Sequence, residues 1–68
     1  MEDRKTLLTH ELRSVAGEAP VYVEVKTPGF VAFFETEIAA LRVAYHYRQK
    51  RVVCAYREAL RVWSVTSA

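Results

Sequence analysis

Cysteine is nearly missing from this 68-residue chain. Its single copy, Cys54, cannot close an intrachain disulfide, which removes the staple on which small secreted domains commonly rely. Two Gly and two Pro are too few for a disordered chain, and 51% apolar residues argue the same way. No apolar run approaches the roughly 18–20 residues that cross a bilayer. The N-terminal MEDRKTLLTHEL is charged and has no apolar core of a secretion signal, so a cytoplasmic protein is expected. Residues that carry chemistry are equally sparse. Asp3 is the only Asp, and His10 and His46 fall on different elements. No Ser/His/Asp or Cys/His pairing, paired carboxylates or Gly-rich phosphate loop is suggested, and one Cys with two scattered His makes no metal site. The expectation is a non-enzymatic protein with no cofactor.

What is present is a single domain, residues 1–68, near the lower size limit for a self-supporting core. High apolar content without a staple makes self-association the expected route to a sufficient core. The net charge is only +2, but it is unevenly spread. Residues 1–41 carry four basic and seven acidic side chains, a net of −3, whereas residues 42–68 carry six and one, a net of +5. Such asymmetry suits a polyanion-binding C-terminal half, acidic-on-basic packing between copies, or a solvated mixed surface.

Residues 3–16 read as a helix. Leu8, Leu12 and Val15 recur at i, i+4 and i+7, Asp3 is placed as the N-cap, and Gly17 falls where a left-handed C-cap is wanted. Glu18-Ala19-Pro20 ends it. Val21 to Lys26 alternates apolar and polar residues and reads as a strand. Thr27-Pro28-Gly29 supplies a turn, and Phe30–Glu35 the returning strand of a hairpin. Thr36 to Arg48 admits two readings. As a strand, Leu41, Val43, Tyr45 and Tyr47 line one side while Arg42, Ala44, His46 and Arg48 line the other. As a helix, Thr36 caps it, and Ile38, Leu41 and Tyr45 share a face from which Val43 and Tyr47 are excluded. The alternation over residues 41–48 favours the strand, with Gln49-Lys50-Arg51 as a hairpin loop. Val52–Tyr56 and Leu60–Val65 form the last two strands around the joint Arg57-Glu58-Ala59, and 66–68 is a tail. The fold class expected is mainly β: an N-terminal helix and a five-stranded, strongly bent antiparallel sheet that closes on itself. On the strand reading, Arg42, His46 and Arg48 share a side that is either a basic strip for phosphate or a merely solvated strand face. Cys54 reads as a small buried hydrophobe.

One helix followed by five strands in about seventy residues is the plan of the Sm/LSm (Hfq-like) family. Ala55-Tyr56-Arg57-Glu58-Ala59-Leu60 resembles that family's second motif, Val-Tyr-Lys-His-Ala-Ile. Ala19–Val25 followed by Gly29 is similar to its first strand, and Val43–Arg48 to its third. Glu58 stands where the motif has His. The resemblance implies a homo-oligomeric ring with an open-barrel subunit, joined through strands 52–56 and 60–65, that binds single-stranded RNA. Carried over residue by residue, it assigns RNA contacts to Tyr56, Arg57, Arg42 and Val43, beside the Arg48 and His46 of the basic strip. If residues 36–47 are instead helical, the chain is an α-ββ-α-ββ dimeric protein-interaction module, of the phage or plasmid inhibitor or regulator type.

Overall fold

The computed structural model describes residues 3–26 and 28–67. Its elements run α1 (Arg4–Ala16), β1 (Tyr22–Val25), β2 (Phe30–Phe34), α2 (Glu37–His46), β3 (Val52–Arg57) and β4 (Val62–Ser67). Helix and sheet are mixed in two successive α-β-β units.

Helix α1 begins where Asp3, in extended conformation, accepts a 2.8 Å bond from the Thr6 backbone N–H, satisfying one of the helix's orphan donors. It ends at Gly17, whose φ of 81° lets its N–H reach back 3.0 Å to the Arg13 carbonyl. Residues 22–25 alternate as read, and the Lys26 N–H bonds the Gly29 carbonyl at 2.8 Å to close the hairpin with β2. Thr27 of the expected turn lies outside the described residues.

The stretch read as a strand over residues 41–48 is helical. Thr36 caps α2 by accepting from the Ala39 N–H at 3.3 Å, and its hydroxyl donates to Glu18 Oε1 at 2.7 Å, which ties the cap to the segment after α1. Ala39, Ala40, Leu41 and Ala44 are good helix formers. The alternation that suggested a strand has a helical meaning. Residues two apart lie about 200° apart around a helix, so an apolar residue at every second position makes two i, i+4 stripes on opposite sides. Val43 and Tyr47 form the inner stripe and Leu41 and Tyr45 the outer one.

The sheet consequently has four strands, in the order β1-β2-β4-β3, all antiparallel, and it is open. Residues 49–51 join α2 to β3 and are not a hairpin loop. Instead α2 carries the chain from β2 across β4 to β3, a split β-α-β crossover. Strand β4 runs to Ser67, so Thr66 and Ser67 belong to the sheet and not to a tail, and Ala68 of the expected tail lies outside the described residues. Between β3 and β4 the turn spans 58–61, so Arg57, expected in the joint, ends β3, and Leu60 and Arg61, expected in the last strand, belong to the turn. It is closed by bonds from Leu60 N–H to the Arg57 carbonyl and from Arg61 N–H to the Glu58 carbonyl, both 3.2 Å, with Arg61 in the left-handed region.

Both helices cover one face of the sheet. Leu12 and Ala16 of α1, and Ala39, Ala40 and Val43 of α2, meet Val23, Phe30, Ala32, Phe34 and Val65 in one core. The alanines let α2 approach the sheet closely, and Phe34, fully buried, is the largest side chain there. Residues of the opposite parity on every strand face away from the helices.

Candidate functional site

The outer side of α2 holds the clearest concentration of unsatisfied surface. Ile38, Leu41 and Tyr45 recur at i, i+3 and i+7 and are 58%, 51% and 68% exposed. With Val15 of α1 they line an open groove of about 500 Å³, whose remaining walls are Arg42, His46 and Arg48. Arg42 Nη1 donates to the Ala16 carbonyl at 3.3 Å, placing a cation at the negative end of α1. Gly17 makes room for it: a Cβ there would stand 2.9 Å from Arg42 Nη1. His46 Nε2 lies 3.6 Å from Glu11 Oε1, so the imidazole faces a carboxylate of α1. Arg48 donates to the Tyr45 carbonyl at 3.1 Å and holds its guanidinium 4.5 Å from the Tyr45 ring centre, a cation–π pair exposed at the groove's end.

The six residues expected to contact RNA do not form one site. Arg42, His46 and Arg48 come together, though as neighbours around a helix end and not along a strand. Val43 is fully buried against the sheet and contacts no ligand from there. Tyr56 and Arg57 are consecutive on the edge strand β3 and face opposite sides. Tyr56 packs on Trp63 with ring centres 5.0 Å apart on the helix side, and Arg57 Nε donates to Ser64 Oγ at 3.2 Å on the other. Ser64 Oγ in turn donates to the Ala55 carbonyl at 3.1 Å, so this buried hydroxyl is satisfied. Strand β4 lies between β2 and β3, hence it offers no edge for joining subunits, and of the two strands expected to do so only β3 keeps a free one.

Sequence reasoning missed the exposure of Ile38, Leu41 and Tyr45. Their shared helical face was legible, but an apolar stripe is ordinarily the buried one, whereas here the small Ala39 and Ala40 take the inward position.

Among the described residues no three of His, Cys, Asp and Glu come together to hold a metal ion. Cys54 sits on the helix side of β3, half-buried, and burial first and the Glu37 charge second push its thiol pKa up, which disfavours the nucleophilic thiolate. The Tyr47 hydroxyl is buried without a hydrogen-bond partner, and burial followed by the nearby Glu11 carboxylate keeps it protonated far into the alkaline range. Among the described residues no helix is long and apolar enough to cross a membrane. No known protein family, curated protein or solved structure matches the chain.

Proposed function

We propose that this chain is a small, non-enzymatic protein-interaction module, a regulator or inhibitor that acts by binding a segment of another protein on the outer side of α2. The observation that carries this reading is the exposed ridge Ile38–Leu41–Tyr45 flanked by the guanidinium groups of Arg42 and Arg48. Aliphatic side chains gain nothing from water, and a ridge at helical spacing suits a groove-and-ridge contact with an amphipathic helix. The flanking cations select an acidic one. Exposed Tyr45, braced by Arg48, supplies the kind of aromatic anchor that dominates such contacts.

Single-stranded RNA is the second reading, favoured by the convergence of Arg42, His46 and Arg48 at one groove beside Tyr45. The ring and the Sm-like open barrel belong to that reading. They drew on a third strand at 41–48 and a joining edge on β4, and in this fold a helix and a central strand occupy those places. Ile38 and Leu41, which offer little to phosphate or sugar, tip the balance toward protein.

Fluorescence anisotropy with two labelled probes separates the readings: an acidic amphipathic 15-residue helix with Leu at i, i+3 and i+7, and oligo-U of similar length, each at two salt concentrations. The proposal expects peptide binding that falls at least about tenfold in Leu41→Lys and Tyr45→Ala. Oligo-U binding that drops steeply with salt and in Arg48→Ala, while ignoring Leu41→Lys, replaces it with the RNA reading. Binding of neither probe overturns both.

A further inference from the structure

Among the described residues no helix packs on the other face of the sheet, and its pattern is readable row by row. Across the four strands, one row is Glu24, Val31, Thr66 and Val53, and the next is Tyr22, Phe33, Ser64 and Ala55. Beyond these lie Val62 and Arg57. Val53 is 64% and Tyr22 44% exposed, with Val31, Phe33 and Ala55 half-buried between them, while Val62 and Ser64 at the Arg57 end are buried. Its two charges within the strands, Glu24 on edge strand β1 and Arg57 on edge strand β3, stand at diagonally opposite corners. Three strand spacings, about 14 Å, and four residues, about 13 Å, separate them, so the face is nearly square.

We propose that a second copy of this chain covers this face, with a two-fold axis along the other diagonal, through Val53. A square face turned about that diagonal exchanges its two charged corners. Glu24 of each copy then meets Arg57 of the other, and no like charges are juxtaposed. The same rotation sets Val53 on its own counterpart and Ala55 against Val31, with Phe33 near the centre. Strands of the two sheets cross at close to 90°, one of the two favoured angles for stacked sheets. The Glu24 carboxylate accepts from the Tyr22 hydroxyl at 2.7 Å, which holds it at its corner, whereas Arg57 donates to Ser64 toward the middle of the face and exchanges that bond for the partner's Glu24 on association. With side-chain reach a side of about 20 Å makes roughly 400–500 Å² per copy, about 800–1,000 Å² in total, below the size of stable interfaces and in the range of transient ones, so the dimer is weak, reversible and concentration-dependent. It uses the side opposite the α2 groove and stands or falls separately from it.

Sedimentation equilibrium of the full chain over a concentration series up to millimolar tests this. Wild type is expected to approach twice the monomer mass. Glu24→Arg alone and Arg57→Glu alone each raise the dissociation constant at least about tenfold, because each sets like charges against each other twice. An equimolar mixture of these two variants is expected to associate to within about threefold of wild type, since the mixed dimer regains two opposite-charge contacts. Val53→Lys, at an exposed position that tolerates the change, weakens the dimer and is not rescued by either variant. Far-ultraviolet circular dichroism of each variant verifies that it is folded. A monomeric wild type, single variants that associate normally, a mixture that stays monomeric, or a Val53→Lys dimer as tight as wild type overturns the proposal. Leu41→Lys and Tyr45→Ala leave the mass unchanged, which separates this surface from the peptide-binding one.

Discussion

Val43 and Leu41 are two residues apart, and their fates distinguish the two readings of residues 41–48 in energetic terms. In a strand they share a face and are buried or exposed together. In α2, Val43 is fully buried and Leu41 is 51% exposed. Val43→Ala removes two carbons from the core, at about 0.8 kcal/mol each. The space left, of the order of 40 Å³, adds about 1 kcal/mol at roughly 24 cal/mol per Å³. Alanine's better helix propensity returns about 0.5 kcal/mol, leaving a net loss of about 2 kcal/mol. A 68-residue domain has total stability of the order of 3–10 kcal/mol. The loss therefore lowers the melting temperature by roughly 8–16 °C. Leu41→Ala, on the outer stripe, is expected to cost no more than about 0.5 kcal/mol. Urea and thermal unfolding followed by circular dichroism measure both. Equal losses for the two substitutions would refute the helical placement and with it the groove.

Three further outcomes follow from the same geometry. Thr36→Ala removes the α2 cap and the bond to Glu18, and unfolding in urea should show a loss of about 1–2 kcal/mol; an unchanged midpoint contradicts the capping role. Gly17→Ala forces a Cβ into the left-handed region beside Arg42 and should cost about 1–2 kcal/mol by the same measurement. A neutral effect would mean that the C-cap is not in that conformation. Cys54 has its pKa raised, so its reaction rate with a thiol reagent should still be climbing at pH values where a free thiol has levelled off. The folded state favours the neutral thiol, so this contribution to stability is complete below the ordinary thiol pKa and is lost as pH rises through the folded value. A rate profile that levels off at or below the ordinary thiol value contradicts the burial.

Much of the fold was legible locally because single residues announce it. Asp3 and Gly17 mark the ends of α1, the valines of residues 21–25 alternate, and the last two strands stand on either side of a polar turn. The middle of the chain was not, because eight residues of strict alternation satisfy a strand and two opposed helical stripes equally well. What decided it is tertiary: Val43 and Tyr47 have a sheet to pack on, and Ala39 and Ala40 leave room for the approach. Misplacing that element moved the whole topology, since a helix there carries the chain across β4 and leaves β4 central. The candidate site was half visible. Arg42, His46 and Arg48 were singled out for their charge, but exposure of the apolar stripe between them depends on which side of α2 the sheet occupies.

The claim that α2 presents the binding face is tested most directly by a ¹H–¹⁵N NMR titration of the isotopically labelled full chain with the acidic amphipathic peptide. Shifts are predicted at Ile38, Leu41, Arg42 and Tyr45, with Tyr22 and Val53 on the far face of the sheet unmoved. Shifts centred on the sheet face, or no shifts at saturating peptide, would contradict it.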